Sequence, residues 1–238
     1  MKYRKLNLLL VPFIAAFVLL VVGYGQNSNA GENGTRTIYL IRHGEYTPQD
    51  DNIPDSENVL TPLGIAQARL VSARLKSMNI RFSSLTSSTM TRARQTAMVI
   101  NEDFPDLNLE ESDLIRECTP PTWRKDVMAG VDTVHRVECV ENLEKAFKEF
   151  FIPSPDQNDR NDIIVCHGNV IRYFVTKVLK VNTMSWLQMT IGNCSLTVVR
   201  IKSDGTMKLV SFNDVGHIPT NLQTETGGNN KPKELIIR

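Results

Sequence analysis

The stretch Thr37-Ile38-Tyr39-Leu40-Ile41-Arg42-His43-Gly44-Glu45 contains four consecutive apolar residues and then changes abruptly to Arg-His-Gly. An apolar run this short predicts a strand that is buried on both faces, as in the sheet of an α/β protein. Open α/β sheets bind ligands beyond the carboxyl ends of their strands, which makes Arg42 and His43 candidate site residues. Gly44 permits a sharp turn or a close approach to a ligand. Taken alone, the tripeptide is also compatible with ordinary polar residues at a strand end.

The composition narrows the class of protein. The 238 residues are 41% hydrophobic and 22% charged, which is enough for a domain with one sizeable buried core. Because 27 Lys and Arg residues balance 26 Asp and Glu residues, we expect no nucleic-acid partner. The four histidines include no HExxH motif, and we expect neither a metal site nor a cofactor.

The cysteines show neither a CxxC pair nor the spacing of metal ligands. We therefore expect free thiols in a reducing compartment rather than a disulfide framework. The four are Cys118, Cys139, Cys166 and Cys194.

The amino-terminal residues predict a membrane anchor. Residues 1–5 are basic, and the residues that follow carry no charge as far as Ala30. The apolar run over residues 6–25 has about the length of a helix that crosses a bilayer, roughly 20 residues. A cleaved signal peptide is the alternative, because Ser28-Asn29-Ala30 is a small-x-small site after a basic segment. A buried core helix is disfavoured, since the run has no polar face.

Composition also divides the rest of the chain. Residues 26–34 are polar and rich in Gly and Asn, which predicts a flexible linker. The folded domain is expected over residues 35–215. The Pro-, Gly-, Asn- and Lys-containing stretch over residues 216–238 predicts a flexible tail. Within the domain, Thr61 and Pro62 suit the cap and the first position of a helix.

Other elements of the domain follow from periodicity and turn signals. They are strands over 80–85 and 163–166, helices over 90–101, 134–151 and 170–180, and a hairpin of strands 194–201 and 207–212. Residues 103–133 are predicted to be irregular because they contain three prolines.

A second apolar run also ends in histidine: Ile163-Ile164-Val165-Cys166 is followed by His167 and Gly168. If helices separate the two strands, as in βαβ units, His43 and His167 meet at one edge of a parallel sheet. Arg92 is expected in the first turn of a helix near the same edge, and Arg94 is its rival.

Two histidines and two arginines at one edge suit the transfer of a phosphoryl group. Guanidinium groups bind phosphate oxygens in a bidentate manner and remain charged. Imidazole is a competent nucleophile toward phosphorus and titrates near neutrality. In-line attack by one histidine, with the other groups holding the phosphate oxygens, needs no metal. A carboxyl group must still protonate the leaving oxygen and later activate water.

Four sequence blocks, in order, resemble the histidine phosphatase (phosphoglycerate mutase-like) superfamily. They are Leu40-Ile41-Arg42-His43-Gly44-Glu45, Leu60-Thr61-x-x-Gly64-x-x-Gln67-Ala68, Ser88-x-x-x-Arg92-Ala93-x-Gln95-Thr96-Ala97 and Val165-x-His167-Gly168. The resemblance covers about residues 35–212. It implies a three-layer α/β/α sandwich with a mostly parallel central sheet, here preceded by one N-terminal transmembrane helix.

The resemblance also implies roles for individual residues. His43 matches the nucleophile that becomes phosphohistidine. Arg42, Arg92 and His167 match the phosphate pocket, and His167 counts among the catalytic residues as well. The family pattern places an arginine directly before alanine, which favours Arg92 over Arg94.

Glu117 matches the general acid and base of the family, although this motif is looser than the others. Glu110, Glu111 and Asp113 remain alternatives.

Among members of the superfamily, the chain looks most like membrane-anchored mitochondrial phosphatases that act on phosphoserine and phosphothreonine. This likeness implies a phosphorylated protein substrate, a mitochondrial membrane bound through the N-terminal helix, and compatibility with a homodimer. Two alternatives stay open: a small-metabolite phosphatase or mutase of the same superfamily, and an anchored scaffold with a vestigial site. The second is suggested by a linker without the Trp-rich assembly segment of such phosphatases.

Overall fold

The computed structural model describes residues 34–46, 54–156 and 158–225. These residues form six strands and five α-helices. The strands are β1 (Arg36–Arg42), β2 (Ser84–Ser88), β3 (Leu109–Ser112), β4 (Arg160–Cys166), β5 (Leu196–Ile201) and β6 (Met207–Asp214). The helices are α1 (Pro62–Ser77), α2 (Thr91–Asp103), α3 (Lys125–Ala129), α4 (Thr133–Phe150) and α5 (Gly168–Leu179).

The predicted membrane anchor over residues 6–25 lies outside the described residues. Within the described part of the chain, no helix combines the length and the hydrophobicity needed to span a bilayer.

One mixed sheet carries the domain, with the strand order β3-β2-β4-β1-β5-β6. The first four strands of the chain run parallel, whereas β5 is antiparallel to both of its neighbours, β1 and β6. The prediction of a mostly parallel sheet is therefore confirmed. Because the chain returns from β3 at the edge to β4 in the middle, the carboxyl ends of β1 and β4 lie next to each other at the centre of the sheet.

Alternate residues of the central strands enter two separate cores. Ile38 and Leu40 of β1 pack with α4 and α5 on one face of the sheet. Tyr39 and Ile41 of the same strand pack with α1 and α2 on the other face. Helices thus cover both faces, and the continuous apolar run is a strand buried on both sides, as predicted.

The register of the parallel β1–β4 pair brings the two histidines together. Arg42 lies opposite Cys166, so the next residues, His43 and His167, leave their strands at the same level. The centroids of the two imidazole rings are 5.0 Å apart. The backbone N–H of His43 also donates to the carbonyl oxygen of Cys166 at 3.0 Å, which extends the pairing by one residue.

The start of α1 packs directly against the end of β1. A Cβ atom at Gly44 would lie 2.4 Å from the carbonyl oxygen of Gly64, and one at Gly64 would lie 2.1 Å from that of Glu45. Only two glycines allow this approach of backbone to backbone. Gly44 therefore permits a close approach to the first turn of α1, where the sequence had suggested a sharp turn or a ligand. Thr61 caps α1 by accepting a hydrogen bond from the N–H of Gly64 at 3.0 Å, and Pro62 stands in the first turn, as predicted.

Two predictions about secondary structure are wrong: the position of one strand and the irregular structure of one segment. β2 covers Ser84–Ser88 rather than residues 80–85. Its small polar side chains are buried, so hydrophobicity alone gave no signal for the strand. Residues 103–133, predicted to be irregular, contain β3 and α3.

The stretch after residue 215 also differs from the prediction. Ile218 is buried. The side-chain amide of Gln67 donates to the carbonyl oxygen of Leu222 at 2.8 Å and to Oγ1 of Thr224 at 2.9 Å. The prediction of a flexible tail is therefore wrong for residues 216–225, because isolated apolar side chains in a polar stretch pack on the domain. The remaining tail residues lie outside the described part of the chain.

The cysteine prediction is wrong for one pair. Cys118 and Cys139 form a disulfide, with their Cα atoms 5.7 Å apart. Cys166 and Cys194 are free and buried. The pair could not be predicted from the sequence, because its members are 21 positions apart. They meet only when the segment before α3 packs against α4.

Candidate active site

His43 lies directly after β1 and is almost completely buried, with 1% of its surface exposed. Its Nδ1 is 2.8 Å from the carbonyl oxygen of Gly44. Because a carbonyl oxygen can only accept, we assign the proton to Nδ1. Nε2 is then an acceptor, and Nε–H of Arg92 donates to it at 3.3 Å. The backbone at the strand end therefore holds His43 in the tautomer whose Nε2 carries a lone pair instead of a proton.

Arg92 stands in the first turn of α2 and is also buried. Its guanidinium group stacks over Tyr46, 4.4 Å from the ring centroid. Nη1 donates to the backbone carbonyl of Asp55 at 2.7 Å, and Nη2 donates to its carboxylate at 3.0 Å. Arg94 is exposed and pairs with Glu111 at 3.1 Å. Of the two rivals, Arg92 is thus the one beside the histidines.

Arg42 and His167 each contribute a buried nitrogen that has no hydrogen-bond partner among the described residues. Nη1 of Arg42 donates to the carbonyl oxygen of Ile191 at 2.5 Å, whereas its Nε is unpaired. Nε2 of His167 is 2.9 Å from Oγ of Ser88, whereas its Nδ1 is unpaired. Buried polar atoms normally have partners, so these two nitrogens are candidates to bind a ligand.

Burial keeps both imidazoles neutral. The pKa of His43 lies well below its usual value, first because of desolvation and then because of His167, Arg42 and Arg92. Desolvation also lowers the pKa of His167, and Arg92 and Arg42 add to the effect. Burial lowers the pKa of Arg42 to about 10, which leaves its guanidinium charged near neutral pH. The site therefore combines neutral imidazoles with fixed positive charge.

Glu117 lies in a segment that contains neither an α-helix nor a strand, residues 113–124, which we call the acid segment. Part of the side chain faces the pocket, yet the surrounding protein desolvates the carboxyl group and raises its pKa to about 7. The positive charges of Arg42 and Arg92 oppose this rise without cancelling it. A carboxyl group with this pKa can donate and accept protons near neutral pH.

The other carboxylates that the sequence left open are exposed and do not line the pocket. They are Glu110, Glu111 and Asp113. Glu117 is thus the candidate that the structure brings to the histidine edge of the sheet.

A polar pocket of about 180 Å³ joins these groups. Arg42, His43 and Glu117 line it, together with Tyr46 and, at the rim, Glu225. Its volume suits a phosphate group with a few further atoms. Among the described residues, no group of three or more His, Cys, Asp or Glu is arranged to hold a metal ion.

Asn169 and Arg172 of α5 also belong to the site, and sequence reasoning assigned no role to them. The backbone N–H of Asn169 donates to Oε1 of Glu117 at 3.3 Å. Arg172 donates to Oδ1 of Asn169 at 2.6 Å and to the carbonyl oxygens of Gly168 and Met189 at 3.2 and 3.0 Å. The spacing of three residues, directly after the His-Gly pair, is the signal that could have found them, because it places both on one helix face.

Known proteins are similar to this chain over most of its length. The histidine phosphatase superfamily (branch 1) matches residues 38–149 and 123–215. The Caenorhabditis elegans protein named serine/threonine-protein phosphatase Pgam5, mitochondrial, is 39% identical over 197 residues, which cover 79% of this chain and 66% of that protein. The human protein of the same name is 31% identical over 201 residues, which cover 81% of this chain and 67% of that protein. The chain thus spans about two thirds of the length of these relatives.

A solved structure supports the same grouping. Phosphoglycerate mutase from Plasmodium falciparum superposes with a TM-score of 0.56 and is 28% identical, covering 83% of this chain and 100% of that one. The residues matched by the superfamily include both strand ends that carry histidine, His43 and His167. This chain belongs to the histidine phosphatase superfamily, branch 1.

Proposed function

We propose that this chain is a protein phosphatase that hydrolyses phosphoserine and phosphothreonine through a phosphohistidine intermediate on His43. The environment of His43 carries the proposal. A neutral imidazole presents the lone pair of Nε2 beside the guanidinium of Arg92 at 3.3 Å and close to His167. The name of the worm and human relatives, serine/threonine-protein phosphatase, supports the substrate class.

In the first step, Nε2 of His43 attacks phosphorus in line with the ester bond. The N–P bond forms while the bond from phosphorus to the serine or threonine oxygen breaks, and protonated Glu117 gives that oxygen a proton. Arg42 and His167 hold the non-bridging oxygens through their unpaired nitrogens, Nε and Nδ1. Arg92 joins them when its Nη2 exchanges the exposed carboxylate of Asp55 for the phosphate. The carbonyl of Gly44 accepts the Nδ1–H bond and stabilises the positive charge that the ring gains.

In the second step, the Glu117 carboxylate takes a proton from water, and the water oxygen attacks phosphorus. The N–P bond breaks, inorganic phosphate leaves, and both residues return to their starting protonation states. A pKa of about 7 suits a group that must act first as an acid and then as a base.

The charges around the pocket favour a phosphoprotein over a small phosphorylated acid. A phosphoglycerate carries a carboxylate that needs a second cationic group. Arg172, the nearest further arginine that lines the pocket, already donates from Nε, Nη1 and Nη2 to protein oxygens and stacks over Trp186 at 4.7 Å. Glu225 at the rim adds a negative charge, which disfavours small anionic substrates.

The sequence-based organisation of the chain is part of the proposal. Residues 6–25 anchor the protein in a mitochondrial membrane, with residues 1–5 as a basic flank and residues 26–34 as a linker to the catalytic domain. The word mitochondrial in the names of the relatives supports the compartment. A homodimer is compatible with this organisation, and sedimentation of the full-length protein tests it.

A hydrolysis assay on the full-length protein tests the proposed activity. Wild type and His43→Ala are compared on phosphoserine and phosphothreonine peptides and on 3-phosphoglycerate. We expect release of phosphate from the peptides and an acid-labile phosphoryl label on wild type after brief exposure to substrate, with both lost in His43→Ala. His135→Ala is the matched control, because 79% of the His135 side chain is exposed and it lies on α4, away from the pocket.

Each other outcome has a definite meaning. Normal turnover by His43→Ala overturns the phosphohistidine mechanism. A strong preference of wild type for 3-phosphoglycerate favours the small-metabolite phosphatase or mutase. If the folded wild type hydrolyses neither these substrates nor an aryl phosphate, the chain is the anchored scaffold with a vestigial site.

A further inference from the structure

The disulfide lies next to the proposed acid and base in the chain. Cys118 directly follows Glu117, and its partner, Cys139, lies in the second turn of α4. The bond therefore ties the acid segment covalently to a helix that is packed into one of the two cores. Sequence reasoning expected free thiols here, and the proposed mechanism does not use the bond.

Noncovalent support for Glu117 comes mainly from α5. The backbone N–H of Asn169 donates to its carboxylate at 3.3 Å, and the side-chain amide of Asn169 donates to the carbonyl oxygen of Cys118 at 2.8 Å. The backbone N–H of Glu117 points to the sulfur of Met90, 3.2 Å away, and sulfur is a weak acceptor. The disulfide is thus the strongest single connection between the acid segment and the rest of the fold.

The disulfide is also accessible from solvent. Both cysteines line an open cleft of about 360 Å³, separate from the phosphate pocket. Cys118 is partly exposed, whereas 3% of the surface of Cys139 is exposed. A reductant in this cleft therefore reaches the sulfur of Cys118 first. Glu117 lines both the cleft and the pocket, so a change in the cleft wall also changes the acid side of the site.

We propose that Cys118–Cys139 is a thiol–disulfide exchange site, which takes a dithiol reductant and controls the position of Glu117. A thiolate of the reductant attacks Sγ of Cys118, the S–S bond breaks, and Cys139 leaves as a thiolate that takes up a proton. The second thiol of the reductant then attacks the mixed disulfide and releases Cys118 as a thiol. Two electrons pass to the protein, and the reductant leaves as a disulfide.

Reduction removes the covalent link between Cys118 and α4 and leaves the apolar contacts of Ile115 with the core, so the acid segment shifts locally at Glu117. Arg42, His43, Arg92 and His167 keep their places at the sheet edge. The effect on catalysis rests on the proposed function, in which Glu117 protonates the leaving group. The reduced enzyme therefore has weaker general acid catalysis and retains phosphate binding. A displacement of about 1 Å is enough to lower the rate of a positioned reaction many-fold.

The exchange itself is tested by counting thiols in the full-length protein. Denatured protein that was not reduced should show two reactive thiols, those of Cys166 and Cys194. After dithiothreitol treatment under native conditions, removal of the reductant and denaturation, it should show four. Two thiols after native reduction would overturn the proposal that the cleft admits a dithiol, and four thiols before reduction would overturn the disulfide.

The control over Glu117 is tested with two aryl phosphates. Phenyl phosphate has a poor leaving group that needs an acid, whereas 4-nitrophenyl phosphate has a better one. On reduction we expect kcat to fall about tenfold for phenyl phosphate and about threefold for 4-nitrophenyl phosphate, with KM changed by less than about twofold. A merely structural role would lower both rates by the same factor, and equal losses would overturn the proposal.

The double variant Cys118→Ser/Cys139→Ser is the matched control. It should have the rates of the reduced wild type. It should not respond to dithiothreitol, because its remaining cysteines, Cys166 and Cys194, are free thiols with no disulfide to reduce. A dithiothreitol response in this variant would assign the effect to the buried thiols and overturn the proposal. Reduction of wild type gives the same comparison without a substitution, should the variant fold poorly.

The two proposals fail in different ways. If oxidised wild type hydrolyses no phosphate ester, the proposed function fails, and the thiol count still decides the exchange site. If oxidised wild type is active and reduction leaves both rates unchanged, only the redox control fails.

Discussion

Arg42, His43, Arg92 and His167 cluster at the histidine edge of the sheet, where Arg42 and His43 line the pocket. We call this cluster the phosphate wall, and Glu117 lines the pocket from the acid segment. Every member of the phosphate wall lies at the end of a strand or the start of a helix. The acid segment that carries Glu117 contains neither an α-helix nor a strand and is fastened by Asn169 and a disulfide. Strand ends and helix starts thus position the groups that bind phosphate, whereas local tertiary contacts position Glu117, the proposed general acid and base.

The largest expected effect is on the phosphate wall. Arg92→Ala removes a buried guanidinium that faces His43, and we expect kcat/KM for phosphopeptides to fall about 10³-fold. Steady-state kinetics measure the change. Arg94→Ala, two residues along the same helix, is the control and should change kcat/KM by less than about twofold, because Arg94 is exposed and pairs with exposed Glu111. Equal losses of kcat/KM in the two variants would show that Arg92 has no specific role in binding the phosphate.

A smaller effect is expected on the opposite wall. Glu117→Gln keeps the shape of the side chain and removes its proton transfer, so we expect kcat to fall about 10²-fold. In wild type, kcat/KM should decline as the pH rises through about 7, since the acid form of Glu117 is then lost. Profiles of kcat/KM against pH for both proteins check this. A decline near pH 7 that persists in Glu117→Gln would assign it to another group.

The raised pKa of Glu117 also has a consequence for stability. The folded protein binds its proton more tightly than the unfolded chain does, so the free energy of unfolding should fall as the pH rises from about 4.5 to about 7. Because water reaches part of the side chain, we expect Glu117→Gln to be about 2 kcal/mol more stable than wild type at pH 8. Urea unfolding at pH 5 and pH 8 measures the difference, which should shrink at the lower pH.

The smallest expected effect concerns Asp55. Its carboxylate accepts from Nη2 of Arg92 at 3.0 Å and competes there with the phosphate of a substrate. Because 60% of the Asp55 side chain is exposed, the pair is weak, and Asp55→Asn should lower KM only about threefold, with kcat retained. Asp113→Asn serves as the comparison, because it removes an exposed carboxylate outside the pocket. A raised KM in Asp55→Asn would show that Asp55 supports substrate binding instead.

The central strands were predictable because their signals are local. Four apolar residues in a row before Arg42, and four more before His167, are enough to indicate doubly buried strands. The cap at Thr61 and the following proline mark the start of α1 in the same way. From these elements alone, the meeting of His43 and His167 at one sheet edge follows from parallel pairing.

Other features could not be read from the sequence, because their cause is distant in the chain. β2 consists of Ser, Leu and Thr, and its polar side chains are buried by neighbouring strands and helices rather than selected by hydrophobicity. Ile218 is an isolated apolar residue in a polar stretch and packs only once the domain exists. The Cys118–Cys139 bond joins positions whose spacing matches no motif.

The sequence by itself determined the central strands, the two histidines at their ends, and the arginine beside the first of them, since these depend on short runs of neighbouring residues. Only the tertiary structure brought Glu117 to the pocket, raised its pKa to about 7 and placed Arg92 in contact with His43. The physical reason is that burial and electrostatic fields are sums over groups from several elements. Those sums are defined only after β1, α2, the acid segment and α5 have met.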